Sequence, residues 1–350
     1  MKPKETMKTP SFLETCRRLA WILALALGLS SAVVALSGAS PWDAYRHMLM
    51  GSLGSWAKLA QVLRVWVPLT LCSLGLLYTF HIGLWNIGVE GQVVLGAVGA
   101  TAVVRWGLGA PAELVLPGAL LSAAVCGGLW ALSAGLLKTR AGVNEIFAGL
   151  GLNFVAAGLL LWLIFGPWKQ PGIASMSGTE TFPQAYWFPS PAGWAVSPYA
   201  LAATVVLLGL TAWILRTTRI GLALKAIGRN AHAAYLLGLS PSRWMLLAML
   251  LAGGLAGLAG AYQALAVYHR LIPNISSQYG YLALLVVMLA GEHRAMIPVI
   301  AFFFAALNVG SIQLPMMLRM DSSLAGIIQG SLVLAALAVQ GMAWKRGRSS

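Results

Sequence analysis

Apolar residues in this chain neither alternate nor recur at a surface-helix spacing for long; they come in continuous runs separated by short polar or glycine-rich breaks. The runs fall at about 19–39, 61–80, 91–107, 113–137, 145–165, 198–216, 244–268, 279–292, 296–314 and 323–343. Each is compatible with a tilted or partly broken membrane helix of ~17–25 residues. This pattern predicts an all-α, polytopic membrane protein of about ten spans. The run at 279–292 is short for a full crossing. Tyr45 to Ser55 reads as a short amphipathic helix outside the spans.

Two interruptions are long. In the first, Gly166 to Ser197, proline is too dense for a regular helix, while Trp168, Trp187 and Trp194 suit a membrane interface. It reads as a lid or docking surface, or equally as an interface-packed connector. The second, 217–242, carries Ile220, Leu224 and Ile227 at i, i+4, i+7, with Thr217 or Thr218 as N-cap and Gly228 after the helix. Asn230 then caps 231–237, Gly238 closes that helix in a left-handed conformation, and Ser240-Pro241 starts the next span. Two short capped helices imply either a partner or a hairpin lying in the lipid headgroups.

Composition narrows the class. Hydrophobic residues make up 59% of the chain and charged residues 9%. The net charge of +14 would suggest nucleic acid in a soluble chain, but here the positive residues lie mostly in loops between spans, where they set orientation. Of the 23 Lys and Arg, all but Arg46, Lys58, Arg64, Arg105, Lys169, Arg270 and Arg319 fall on one side of a ten-span arrangement. Both termini are therefore expected in the cytoplasm, with 166–197 outside and 217–242 inside. The expected organisation is a cytoplasmic segment at 1–18, a transmembrane domain at 19–343 and a cytoplasmic tail at 344–350. Arg17-Arg18 before 19–39 has the basic flank of a signal peptide, but the apolar run is too long, so a retained first span is expected over cleavage. Cys16, Cys72 and Cys126 have no metal or redox spacing.

Polar groups inside apolar sequence carry the candidate chemistry. Asn86-Ile87-Gly88-Val89-Glu90-Gly91-Gln92 puts a carboxylate, two amides and two glycines into a nearly continuous apolar stretch. Irregular backbone at membrane depth is tolerated only where it is buried in protein or lines a cavity, and ionisable residues there point to function. The other reading is a tight cytoplasmic turn whose polar groups cap two helix ends. Asn144 reads as an N-cap, with Glu145 at the positive end of the helix dipole. Asn153, mid-span, either bonds a neighbouring helix or faces the path. Gly253, Gly254, Gly257 and Gly260 predict close helix packing. Glu292-His293-Arg294 reads as a solvated turn. No Walker-type loop and no H-E-x-x-H occur, so neither catalysis nor ATP hydrolysis is expected of this chain.

Trp85 to Gln92, then Gly142-Val143-Asn144-Glu145 with Leu152-Asn153, then Arg219 to Asn230 with Ala233-Ala234 and Gly238, then Gly253 to Ala261, resemble in order and separation the permease subunits of bacterial ATP-binding-cassette importers for nucleosides and simple sugars. These are related to ribose and branched-chain amino acid permeases. The resemblance covers about Leu59 to Ala343 and is strongest for the nucleoside branch. It implies a second permease subunit, identical or different, a cytoplasmic ATPase that holds ATP and Mg, an extracytoplasmic binding protein, membrane lipid around the spans and a bacterial inner-membrane location. It implies no nucleic-acid partner and no cofactor on this chain. Asn86, Glu90, Gln92, Asn144, Glu145 and Asn153 would then lie on the substrate path, with Trp85, Phe147 or Phe154 offering an aromatic face to a nucleoside. Ile220, Leu224, Lys225, Ile227, Gly228, Arg229 and Asn230 would couple to the ATPase. Leu289 to Arg294 departs from the expected glycine- and asparagine-bearing turn. A ribose-like sugar permease is the alternative within this class. An ion-coupled secondary transporter would keep mid-span carboxylates, whereas Glu90, Glu145 and Glu292 all fall near span ends. A scaffold without transport would not need the break at Asn86 to Gln92.

Overall fold

The computed structural model describes residues 12–36, 38, 40–170, 172, 178–191, 194, 196–291, 294–312, and 330, 331, 334, 335 and 338. The chain divides into two compact units. One comprises 1–62, 289–293 and 302–350, and the other 63–288 and 294–301. All named elements among the described residues are helical.

In the first unit, α1 (Phe12–Leu36) is followed by α2 (Pro41–Leu53). Ser40 caps α2 by accepting from the Asp43 N–H, and Pro41 follows in the first turn, where its missing donor costs nothing. Tyr45 ties the two helices, with its hydroxyl 2.7 Å from Ser30 Oγ and 2.9 Å from Ser31 Oγ. It also donates to the Leu27 carbonyl at 3.0 Å. Val34, Ala44 and Met48 are buried there, and Gly310 of α12 (Ile297–Ser311) admits the Met48 backbone.

The second unit takes up α3 (Trp56–His81) from residue 63 onward and contains α4 (Val89–Trp106), α5 (Ala112–Ala141), α6 (Glu145–Phe165) and α7 (Pro198–Thr217). It continues with α8 (Arg219–Arg229), α9 (Ala231–Leu236) and α10 (Pro241–Tyr262), which runs into a π-helical stretch at Gln263–Val267. α11 (Tyr279–Ala290) follows a loop. Five helices are long and apolar enough to cross a membrane: α3, α5, α6, α7, and α10 with its π extension. The run at 279–292 is a 12-residue helix, and the run at 323–343 lies largely outside the described residues.

The glycine pattern on α10 does what its spacing predicts. A Cβ on Gly257 would overlap the Ala123 carbonyl, one on Gly253 the Gly127 carbonyl, and one on Gly260 the Val93 carbonyl. Gly96 of α4 meets Gly257 backbone to backbone. Gly254 is looser, its nearest neighbour being 3.6 Å from the position of a Cβ. α4, α5 and α10 thus form a core whose axes approach as closely as backbone allows, and van der Waals contact replaces the hydrophobic driving force that lipid removes.

The described part of the 166–197 segment contains one helical turn, Gln184–Tyr186, and is stitched to its surroundings. The Tyr186 hydroxyl accepts from the Gly109 N–H at 2.8 Å and lies 3.1 Å from the Gly107 carbonyl and 3.0 Å from that of Ala110. The Thr179 and Phe182 amides donate to the Leu271 and His269 carbonyls at 2.9 and 2.8 Å, and the Phe188 amide to that of Leu265 at 3.0 Å. Trp187 stacks on His269 with ring centroids 3.8 Å apart. Arg105 lies over the Trp168 ring at 5.5 Å. The described part of the segment is thus packed against its own chain.

Gly257→Val is expected to lower the melting temperature of the detergent-purified protein, or to abolish its accumulation, because an overpacked contact costs ~1–3 kcal/mol. Gly254→Ala, one residue type away at a looser position, should melt like wild type.

Burial pushes the His269 imidazole below its ordinary 6.5, and the charge of Arg64 acts in the same direction. A folded value below the unfolded one contributes stability above pH 6.5 that is lost as pH falls through the folded value. Melting curves should therefore show wild type destabilised between pH 7 and pH 5, and His269→Phe should flatten that dependence. An equal pH slope in both proteins would locate the effect elsewhere.

Candidate functional site

The break between α3 and α4 is buried and its polar groups are satisfied within the chain. Asn86 and Gln92, both 1% exposed, exchange reciprocal amide hydrogen bonds of 3.1 and 2.8 Å. This pairing closes the turn over Gly88, whose backbone lies against Gly149 of α6 so tightly that a Cβ on Gly149 would sit 2.6 Å from the Gly88 nitrogen.

Asn153 bonds a neighbouring element from the middle of α6. Its Oδ1 accepts from the Gly91 N–H at 2.8 Å, one of the first-turn amides of α4 that has no partner inside the helix. Its Nδ2 donates to the Ile87 carbonyl at 3.0 Å and to the Tyr281 hydroxyl at 3.3 Å. One amide therefore fastens α6, the break and α11.

Glu90 points the other way, into the loop before α11. Its carboxylate accepts the Gly280 N–H at 2.9 Å, and the Ser276 hydroxyl and the Gln278 and Tyr281 amides also act on it. A Cβ on Gly280 would collide with that carboxylate. Ser277 and Gln278 adopt φ of 49° and 59°, left-handed values rare for side-chain-bearing residues, in the turn that brings the Gln278, Gly280 and Tyr281 amides toward one carboxylate. Glu90 is thus a buried carboxylate held by donors alone, with no cation pairing it among the described residues.

Asn144 caps α6, its side chain accepting from the Ile146 N–H at 2.8 Å, and Glu145 pairs with Lys138 at 2.8 Å across the turn from α5. These two residues have structural partners, and the Glu145 carboxylate also reaches the Trp85 backbone at the edge of the Asn86–Gln92 break. Trp85 is exposed and lies against Phe80, with ring centroids 5.2 Å apart. Phe147 and Phe154 are each 71% exposed on the outer face of α6.

The segment 217–242 forms the two predicted helices, with one correction. Leu224 and Ile227, expected to present an apolar stripe to a partner, are 0% and 2% exposed and face the chain's own interior. Gly228 lies inside α8, its Cα against the His81 carbonyl, and Gly221 admits the Leu215 backbone. α8 is thus packed down by the stripe, and Ile220 is half-buried. The exposed positions include Leu222, Lys225 and Arg229, followed on α9 by Tyr235, Leu236 and on to Leu237. Asn230 caps α9 by accepting from the Ala233 N–H at 3.0 Å, and Gly238 has φ 85° as its position requires. Thr218 is the N-cap of α8, but its hydroxyl donates back to Ile214 at 2.7 Å and caps nothing.

Sequence reading did not anticipate Ser276 to Tyr281. The one available signal was Ser276-Ser277-Gln278, three polar residues just before an apolar run, which is indistinguishable from an ordinary loop.

Replacing Glu90 by Gln turns one acceptor oxygen into a donor facing N–H groups. We expect Glu90→Gln to lose about 1–3 kcal/mol of stability and to reduce transport, while Phe154→Ala on the exposed face leaves melting unchanged. Thermal unfolding of both variants in detergent tests this.

Residues 58–337 match the family model for the permease component of branched-chain amino acid transport systems. Over 323 residues the chain is 32% identical to a glucose ABC transporter permease protein of Haloferax volcanii, covering 89% of this chain and 84% of that one. It is 26% identical over 321 residues to a guanosine ABC transporter permease protein of Bacillus subtilis, covering 89% and 91%. A nucleoside ABC transporter permease protein of Lactococcus lactis subsp. cremoris is 24% identical over 309 residues, covering 85% of each.

Proposed function

The chain belongs to the permease family of branched-chain amino acid transport systems, among the ABC importer permeases for nucleosides and sugars, and from that membership we propose that it forms the membrane path for a nucleoside. It is a multi-pass membrane protein. The observation that carries the nucleoside reading is the near end-to-end correspondence with a guanosine permease, 89% of this chain against 91% of that one. The 32% identity to a glucose permease favours a simple sugar as the second reading.

In this reading the chain has about ten spans with both termini cytoplasmic, pairs with a second permease in a bacterial inner membrane and receives its solute from an extracytoplasmic binding protein. Transport is by alternating access, and the energy comes from ATP and Mg held by a partner ATPase. The break at Asn86 to Gln92, Asn153 and the loop it holds would line the path as the spans rearrange. A polar backbone break beside an apolar core supports this, because transporters place their sites where helices are discontinuous. Trp85, Phe147 and Phe154 supply exposed aromatic surface on or near the same elements, with Asn144 and Glu145 at the helix start below them.

The ATPase would engage the exposed surface of α8 and α9: Leu222, Lys225, Arg229, Tyr235 and Leu236, with Asn230 setting the angle between the helices. Exposed leucine and tyrosine ringed by cations suit a groove with an acidic rim. Ile220, Leu224, Ile227 and Gly228 contribute by fixing α8 to the rest of the chain.

Leu236→Asp should leave membrane abundance and melting at wild-type values but sharply reduce copurification of the ATPase, since one well-buried anchor is commonly worth ~2 kcal/mol or more. Ile227→Asp should instead destabilise the permease itself. ATP-dependent uptake of guanosine or glucose by reconstituted vesicles tests the function directly, and uptake driven by an ion gradient with no ATPase present would overturn it.

A further inference from the structure

α10 does not end where its hydrogen-bond pattern ends. It widens into the π-helical turn Gln263–Val267 and passes into a loop in which His269, Ser277 and Gln278 all take left-handed φ of 54°, 49° and 59°. π-turns and clustered left-handed residues bearing side chains are uncommon, and both concentrate at functional sites. This second break is held from inside by buried Gln263, whose Nε2 donates to the Ile275 carbonyl at 3.2 Å and to Ser277 Oγ at 3.3 Å.

Arg64 of α3 sits at this break. Its Nη2 donates to the Val267 carbonyl, at the end of the π-turn. Its Nε is buried with no acceptor, and no carboxylate pairs it among the described residues. The charge lies close enough to act on the Tyr262 and Tyr279 hydroxyls, and Tyr268 reaches the same loop with its hydroxyl 3.1 Å from Ser277 Oγ. Arg64 lies 17 residues before His81 at the α8 end of α3, hence about 25 Å away along the helix. The cluster thus stands at the far end of α3 from the α8 contact.

A guanidinium carries five N–H donors in a fixed fork, and the structure shows one of them used on Val267. A half-buried cation with an unmatched donor, next to phenol rings and an irregular backbone, is more than a helix cap requires. We propose that Arg64 is a solute-selecting residue, whose fork takes two adjacent acceptor atoms of a neutral ring-bearing solute while half-buried Tyr268 offers a hydroxyl and a ring edge and the buried Tyr262 and Tyr279 back the site. Two sources supply that acceptor pair: the O6/N7 edge of an oxopurine nucleoside, which matches an arginine fork bidentately, and vicinal hydroxyls of a sugar. The inference rests on the transport reading above and adds the residue that discriminates between solutes.

The competing role is structural: Arg64 complements the carbonyl end of α10 and nothing else. The experiment is equilibrium binding of radiolabelled guanosine, adenosine and glucose to the reconstituted permease–ATPase complex without its binding protein, alongside thermal melting. We expect Arg64→Gln to weaken binding of the preferred probe about tenfold or more, as loss of hydrogen bonds to a charged group does. Arg64→Lys, which keeps the charge and a donor for Val267 but not the fork, should melt like wild type and still bind weakly. Preference for guanosine over adenosine that disappears in Arg64→Lys identifies the oxopurine edge, and preference for glucose lost in the same variant identifies the sugar. Wild-type affinity and selectivity in both variants would overturn the role of Arg64, as would a fall in melting temperature with selectivity intact. A wild-type complex that retains none of the probes would overturn the solute reading itself.

Discussion

Every break in this bundle is governed by the cost of leaving a peptide N–H or C=O without a partner where water is absent. A continuous helix meets that requirement by itself, and an interrupted one needs side chains to do so. At two of the interruptions in its second unit, the α3–α4 break and the π-turn after α10, partners come from elsewhere in the fold. Asn153 supplies both an acceptor and a donor to the α3–α4 break, and Glu90 gathers amides at the start of α11. Gln263 and Arg64 serve the α10 break. Because Glu90 and Gln263 both hold the stretch 275–280, the two breaks are not independent. Moving one strains the hydrogen bonds of the other.

Such an arrangement needs a rigid frame, and the glycine contacts provide it. α4, α5 and α10 meet through Gly96, Gly127, Gly253, Gly257 and Gly260 with no side chain to compress. Two of those helices carry a break at one end: α4 begins at the Asn86–Gln92 turn and α10 ends in the π-turn. Bending concentrated at helix termini around a stiff core is how bundles switch between discrete states, since packed cores deform little. The aromatic connector at 179–188 adds to this, its backbone bonded to Leu265, His269 and Leu271 beside the π-turn.

Much of this is legible in the sequence, and the reasons for the exceptions are specific. Apolar runs located α6 and α7 nearly to the residue and most of α5, because membrane-length hydrophobicity is a one-dimensional signal. The glycine spacing on α10 announced close packing for the same reason. Asn86 to Gln92 was recognisable as a break, yet its two readings, cavity lining and capped turn, differ only in where the polar groups find partners. In this structure those partners are internal: Asn86 pairs with Gln92, and Glu90 bonds a residue 190 positions away. Nothing local in the sequence encodes that second contact. Periodicity likewise found the stripe Ile220, Leu224, Ile227 but could not give its direction. A hydrophobic face reports that something is buried against it and is silent on whether the cover is another chain or the same one.

That inward stripe alters how the proposed coupling would work. Were α8 held to the ATPase by its leucines and isoleucines, it could swivel against its own spans and movement of the ATPase would be partly lost. With Leu224 and Ile227 buried and the Cα of Gly228 against the His81 carbonyl, α8 is instead part of the permease body, joined to the end of α3 by backbone contact. α3 leads directly into the turn closed by Asn86 and Gln92 and carries Arg64 near its other end. A displacement of α8 therefore acts on a helix with a break at one end and a side-chain bond to the other break at its far end. In the proposed coupling, two breaks that share the stretch 275–280 and one helix reaching both would carry a displacement of the α8–α9 surface to the polar network.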